Sequence, residues 1–509
     1  MNWAVTITAS AIQRRRSDSG LAATLAVVLA AHVGSPDVFF SGTAGPYAIR
    51  VVVRPPEVVP GVARVTVHTP ARVERVSIRP VFWRAGTRGS PSADEMRKID
   101  GSDGSATFEG SLWLMARGAY GVDVIVEGGA GRANVLVPVP SVATGRLPLS
   151  PALGALLVVL GVVLVAGLIN IVYKGAGESL VEPGASLDTD RKRSARRAAA
   201  IATPILALAV FGGARWWGAV DRGYERTIYH PSPLAISTSG RTLHVAASDT
   251  IWQARDRPSG YLPDHGKLMH LFLVEAADAR AFAHLHPQPM DTSAVPAFET
   301  RLPTLPSGEY RVFADVVHET GFERTLVGTL AIDSAAIAGV IAPLDPDDAF
   351  HVGEPTRDSI TRLADGSTMR LEVAPHGVIR AGREETLRIS VTDPSGRAVV
   401  LEPYLGMSAH AVVVRADGEV YVHLHSMGTV SSAAREAFAT RDRGDTTADG
   451  RLRLTEPAPM ASHQPSTTAE FPYAFPRPGN YRVFVQVKHG GQIRTGAYAL
   501  TVSERAPTP

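Results

Sequence analysis

From Ala152 to Tyr173 the chain carries no charged residue, reading ALGALLVVLGVVLVAGLINIVY. About 20 apolar residues in a helix cross the hydrocarbon core of a bilayer, so a transmembrane helix is expected over 147–173. A second apolar run, 198–220, ends FGGARWWGAV and predicts a second span. Arg215 stands near its end, where a long side chain can snorkel, and Trp216 and Trp217 suit the membrane–water interface. Between the two runs, RKRSARR at 191–197 is the densest basic cluster of the chain. Lys and Arg beside spans stay on the cytoplasmic side. A basic cytoplasmic loop over 174–197 is therefore expected, with both large flanking regions on the extracytoplasmic side. A shorter apolar run, Leu21 to Ala31, follows Arg14, Arg15 and Arg16. Residues 1–35 read as a signal peptide or signal anchor, with cleavage left open because no clean A-x-A site follows.

The flanking regions have a different pattern. Residues 39–145 run YAIRVVVRPP, VARVTVHT, RVSIRPVFWR, GVDVIVEG, ANVLVPVP, with Pro and Gly between. Short alternating strands at regular spacing predict an antiparallel sandwich. Residues 228–345 and 346–505 read the same way. The expected architecture is mainly β, with three β-sandwich domains, two transmembrane helices and the N-terminal signal or anchor segment. The 509 residues exceed one ordinary domain. With no cysteine, disulfides, thiolate zinc sites and cysteine nucleophiles are excluded. The formal net charge is only +2 and no basic stripe with interleaved aromatics occurs, which speaks against nucleic acid as a partner.

An internal repeat relates the last two regions. GEYRVFADVVHETG from Gly308 matches GNYRVFVQVKHGGQ from Gly479, aligning Tyr310 with Tyr481 and His318 with His489. Upstream, HGKLMHLFLVEAADARAFAHLH matches YLGMSAHAVVVRADGEVYVHLH. The copies share four histidine positions: His270, His284, His286 and His318 in one, His410, His423, His425 and His489 in the other. The second copy also carries an insertion around 428–470. Region 39–145 serves as an internal control: GAYGVDVIVEGG from Gly118 resembles the Tyr-containing strand but has Gly128 where the others have histidine, and no H-x-H.

Side chains at i and i+2 of a strand point the same way, with Cα atoms about 6.5–7 Å apart. Two imidazoles leaning together can reach the roughly 3.3 Å ligand spacing that a tetrahedral metal needs. Phe282, His284 and His286 share one strand face, as do Tyr421, His423 and His425. His270 and His410 open the preceding strand, which can form a hairpin with the H-L-H strand. One metal site per copy is expected. Strict alternation sets His318 with Val312, Ala314 and Val316, away from Phe313, so the fourth position of each set fits less well.

Imidazole suits copper, zinc and nickel alike, while a thioether favours Cu(I). Met269, Met407 and Met427 lie near the histidines in sequence, although filling core is the commoner role of methionine. His463 and Met460, in the insertion, are placed to cover the second site. Copper is the expected ion, with zinc the alternative. Asp264–His265 reads as a turn in PDHGK. No Gly-rich phosphate loop and no G-x-S-x-G elbow occurs.

The GxYxVxVxV strand pattern of the three outer regions resembles bacterial YtkA-like modules and, more loosely, copper-resistance sandwiches of the CopC type. The resemblance implies immunoglobulin-like sandwiches, an envelope location and copper handling. H-L-H is not a standard CopC motif, so the ligands rest on the repeat. The expected function is membrane-anchored copper buffering, sensing or delivery, with another envelope metal-handling protein as a partner and no catalytic residues. The competing expectations are a metal-free structural or interaction protein and a zinc-dependent hydrolase.

Overall fold

The computed structural model describes residues 32–33, 37–69, 73–100, 105–179, 181–182, 185–247, 260–290, 297–335, 337, 339, 342–374, 378–447, 451–453 and 465–505. The chain is mainly β, with several sheets and two long apolar helices. Most of residues 1–35, expected as a signal segment, lies outside the described residues. So do His463 and Met460. His32 and Val33 are described and pair in parallel with Val420 and Tyr421.

The first module stacks two sheets. One is built from Val38–Ala44, Tyr47–Arg54, Gly61–Thr69, Ala106–Leu114 and Arg97–Asp100, the other from Gly131–Ser141, Gly118–Gly128, Val73–Phe82 and Asp94–Glu95. Alternation explains the layers: Val51, Val53, Val65 and Val67 meet Val122, Val124, Val126 and Val137 in one core.

Two helices follow, Pro151–Glu178 and Thr189–Glu225, both long and apolar enough to cross a membrane. The Ser150 hydroxyl accepts from Leu153 N, and Pro151 suits the first turn, where its missing N–H costs nothing. Asp188 accepts from Arg191 N and starts the second helix. The basic cluster 191–197 is therefore helical, and the expected loop 174–197 shrinks to the residues between Glu178 and Thr189. The reason is local: a capping Asp precedes Arg, Lys and Ala, all good helix formers. The outer ends of this helical hairpin meet at the β-rich body. Arg146 pairs with Asp221 and Glu225, the Tyr224 hydroxyl donates to Gly145 O, and Tyr229 N donates to Ala143 O. Both flanking β regions thus lie at the same end of the helix pair.

The repeat appears as a repeated strand order. His270–Glu275 pairs with Ala281–Leu285 on one side and with Gly308–His318 on the other, which pairs with Glu323–Ile332. Ala409–Arg415 stands likewise between Val420–His425 and Gly479–His489, which pairs with Gln492–Val502. One face of each sheet covers its own core, with Leu271, Leu273 and Val312 in the second module and Ala411, Val413 and Val483 in the third. Ala349–Val352, just past the expected boundary at 345/346, pairs with Ala281–Leu285 at the edge of the second module's sheet.

The other faces of these two sheets pack on each other. Phe272, Val274, Phe282 and Phe313 join Val412, Val414, Tyr421 and Phe484 in a single apolar cluster. The contact is reciprocal about a pseudo-twofold. Phe282 stacks on Phe484 with centroids 4.3 Å apart, and its repeat counterpart Tyr421 stacks on Phe313 at 4.1 Å. This explains the strand HLFLVE, nearly continuous in apolar residues: a strand buried on both faces has no solvent side to make polar. The insertion supplies the helix Ser432–Arg443, capped by the Ser431 hydroxyl and ended by Gly444 at φ 82. Its Ala433, Ala434 and Ala437 pack on Leu262 and Val317 of the second module, and Phe438 packs beside Trp83 of the first.

Removing one ring of a reciprocal stack leaves a cavity between the modules. Phe313→Ala is expected to destabilise the paired modules by about 3–5 kcal/mol. Thermal unfolding and limited proteolysis check this: the transition of these modules should fall, and cleavage between residues 333 and 348 should accelerate.

Candidate metal centre

The hairpin register sets each histidine group. His410 lies directly opposite His425, with His423 one same-face step along, opposite Val412. Phe272 opposite His284 puts the first set in the same arrangement. The His270, His284 and His286 ligand atoms lie within 4.8 Å of one another, and so do those of His410, His423 and His425. All six side chains are buried: His284 is 0% exposed, and His423, the most open, 9%. A solvent-facing strand decorated by histidines is ruled out, because the partner module's sheet covers the face. Each triad lies within one module, and the same packing brings the two together. The two triads face each other across the module interface, with ring centroids 5.4 Å apart for His270–His423, 5.7 Å for His284–His423 and 6.4 Å for His284–His410.

The outer nitrogens are anchored. His270 Nε2 donates to the Asp264 carbonyl at 3.2 Å, and His410 Nε2 to the Tyr404 carbonyl at 3.1 Å. A carbonyl only accepts, so in the neutral ring the proton sits there and Nδ1 keeps its lone pair. His284 Nδ1 contacts Gln486 Oε1 at 2.8 Å and the Tyr404 hydroxyl at 3.2 Å; that hydroxyl donates to Asp347 O. His284 Nδ1 is therefore a donor as well. His286 Nδ1 is 3.1 Å from Asp348 Oδ1, and His423 Nδ1 is 3.6 Å from Asp315 Oδ2. For His270 Nδ1 and His284 Nε2, 3.1 Å apart, the inward-facing nitrogens then meet lone pair to lone pair; His410 Nδ1 and His423 Nε2 stand 3.2 Å apart in the matching place. Two facing lone pairs repel unless a proton or a cation lies between them. The separations are close to the roughly 3.3 Å between two nitrogens on one tetrahedral ion. The buried Nε2 of His286 has no hydrogen-bond partner among the described residues.

Each module also reaches into the other's triad. His265 of the second module lies 5.5 Å from the His410 ring and 5.1 Å from the His425 ring. Tyr404 of the third contacts His284 of the second. Asp264, His265 and His425 form a further group able to hold a metal, as do His286, Asp345 and Asp348. The Asp264–His265 turn expected from sequence exists, with His265 at φ 52 and Gly266 at φ 81, but that backbone also turns the imidazole inward. The other residues missed in sequence are Tyr404, Asp315, Gln486 and Asp348. Asp315 and Gln486 occupy one repeat position, five residues beyond Tyr310 and Tyr481, and that alignment was the available signal.

His318 and His489 do not join either triad. The alternation seen in sequence holds: Val312, Ala314 and Val316 are core, and His318 ends that face, 5.1 Å edge-on to Tyr261. His489 lies 3.4 Å from Asp365. Met269 packs in the second module's core, opposite the histidine face. Met427 Sδ lies 3.8 Å from Arg435, and Met407 is buried in the Tyr404 turn.

Burial dominates the electrostatics. It lowers His270 to about 4 and His425 to about 3, and it pushes His284, His286, His410 and His423 well below the ordinary imidazole value. The cluster is neutral at physiological pH, the form that ligates metal. Burial raises Asp315 to about 6 and Asp348 to about 7. Burial also pushes Asp264 upward, but His265, His425, His270 and the Ser432 hydroxyl outweigh it and hold that carboxyl low. Asp264 Oδ1 also accepts from Ala433 N at 3.0 Å, at the start of the helix Ser432–Arg443. A cavity of about 1150 Å³ is lined by Asp37, Arg54 and Trp113 of the first module and by His270, His423 and His425.

Among known families, one described as a domain of unknown function (DUF8832) matches residues 238–333 and 362–504. These stretches are the two histidine-bearing modules. Comparison with curated proteins finds no match. Among solved structures, a tetra-tandem repeat from the extending region of a large adhesion protein aligns at 10% identity, covering 87% of this chain and 71% of that one, with a TM-score of 0.14. Red sea bream transglutaminase aligns at 10% identity over 81% of this chain and 41% of its own, with a TM-score of 0.14. Trypsin-activated alpha-2-macroglobulin from Escherichia coli gives 10%, 91%, 26% and 0.15 in the same order. Overlap this low carries no argument.

A group whose pKa is lower folded than unfolded adds stability above its unfolded value and loses it as the pH falls. Six cluster histidines behave so; Asp315, Glu323 and Asp348, raised by burial, act in the opposite sense but are fewer. The metal-free protein should therefore lose stability between about pH 6.5 and pH 4. Thermal melts of metal-stripped protein at stepwise lower pH check this; a midpoint that rises on acidification would contradict it.

Proposed function

We propose that the protein is a membrane-anchored, extracytoplasmic metal-binding protein that buffers, senses or passes on copper. The observation that carries this reading is the pair of inward nitrogens in each triad, 3.1 and 3.2 Å apart, with the opposite nitrogens of His270, His284 and His410 tied to acceptors. Metal-ligating histidines characteristically anchor the second ring nitrogen in this way, which fixes tautomer and orientation. The donor set is imidazole with nearby carboxylates, and for nitrogen donors Cu2+ heads the divalent affinity order, ahead of Zn2+. Met269 and Met427 face elsewhere, so no thioether from them adds a preference for Cu(I).

The two apolar helices serve as membrane spans in this reading, and the basic turns at 191–197 set their cytoplasmic end. The β modules then stand outside, as immunoglobulin-like sandwiches similar to the YtkA and CopC types, behind an N-terminal signal peptide or anchor. Another envelope metal-handling protein would deliver or receive the ion. Zinc-dependent hydrolysis is the second reading, favoured by Asp264, Asp315 and Asp348 beside positions a three-histidine site leaves open.

Metal analysis of the full chain in detergent tests the proposal. Bound copper is expected, and a His284→Ala/His286→Ala/His423→Ala/His425→Ala variant should lose it. At free copper about 1,000 times its Kd, binding should stabilise the fold by about 4 kcal/mol, seen as a raised melting temperature. Zinc retention with ester or peptide turnover would support the second reading; no metal above background would end both.

A further inference from the structure

We propose that the two triads form one binuclear centre, holding two divalent transition-metal ions side by side across the module interface, with a small oxygen donor such as hydroxide bridging them. This rests on the metal-binding reading above.

The argument is one of spacing. Within a triad, ring centroids lie 4.5 Å apart for His284–His286 and for His423–His425, and 5.4 Å for His270–His284 and for His410–His423. Between triads, His270–His423 is also 5.4 Å and His284–His423 is 5.7 Å. With His284–His410 at 6.4 Å, the distances between the groups begin where those within them end. An ion held about 2 Å from the nitrogens of either triad sits inside this common cluster. Two ions must then lie within a few Å of each other, the range in which two-metal sites share a bridging oxygen.

Charge points the same way. Two adjacent dications repel strongly in a buried site and need anions. Asp315 from the second module stands by His423 of the third; Asp264 stands by His425; Asp348 stands by His286. Carboxylates thus stand beside both triads, Asp348 at one and Asp264 and Asp315 at the other, and a three-histidine set leaves a ligand position open on each ion toward the other. A hydroxide there would bind both. Because three nitrogens come from each module, neither module alone contains the centre, and loading both ions should lock the interface.

The test uses the full chain in detergent, titrated with Cu2+ alone, with metal analysis and electron paramagnetic resonance on the same samples. Two copper ions per chain are expected, with detected spin several-fold below that of two isolated ions, or with a half-field signal from a coupled pair. His425→Gln, which cuts one triad to two ligands, should hold one copper and restore a full single-ion spectrum. The unaltered chain carries the test, so it does not depend on that variant folding. Two copper ions with two full, isolated spins would overturn the binuclear centre and leave metal binding standing; so would saturation at one copper per chain. Absence of bound copper would overturn both.

Discussion

Everything around the histidines depends on six imidazoles being shut between two sheets. A ring with two polar nitrogens, taken out of water, must have each nitrogen matched or suffer the full desolvation cost. The structure matches the outer nitrogens of His270, His284, His286 and His410 with carbonyls, an amide, a tyrosine hydroxyl and a carboxylate, turns inner ones toward each other, and leaves Nε2 of His286 and both nitrogens of His425 without a hydrogen-bond partner among the described residues. That constraint explains why the turns at 264–267 and 404–407 keep the same backbone in both copies, closed by the same reciprocal hydrogen bonds. Each turn supplies the carbonyl that fixes the tautomer of the histidine that opens the next strand.

The pseudo-twofold is exact in backbone order and broken in chemistry. His265 has Leu405 as its counterpart, Asp264 has Tyr404, and Asp315 has Gln486. One triad is therefore bordered by an amide and a phenol at His284, the other by a carboxylate at His423 and by Asp264–His265 near His425. A duplicated module that packs on its own copy begins with identical surroundings for both halves. These substitutions make the halves differ in charge, so the two positions would differ in affinity. The helix Ser432–Arg443 adds to the asymmetry, since its first turn holds Asp264 and only one copy carries the insertion.

The first module lacks histidines but is not detached from the centre. Ser41 N donates to Met427 O and Thr429 N to Phe39 O, joining its edge strand to the segment just after His425. Phe39 and Val52 enter the third module's core, and Val430 enters the first module's. The cavity between these parts is lined in part by His270, His423 and His425. The helical hairpin joins the body at 143–146 and 221–229, close in sequence to the first module's last strand.

What the residues alone determine is local. The length of the uncharged run 152–173, the repeat, and, through the strand period of 2, the alternation of the outer strands and the face shared by His284 and His286 are all legible without coordinates. Alternation even separates His318 from the triad, because a strand's faces are fixed by counting. The helical state of 191–197 was hidden by its charge, although Asp188 signalled the cap. What only the tertiary structure decided is which surface covers the histidine face. Sequence period says which side chains share a face and nothing about what packs on it; that depends on how two whole sheets fit together. Phe282 on Phe484 and Phe313 on Tyr421 made that choice, and with it brought His265, Tyr404, Asp315 and Gln486, distant in sequence, to the same point.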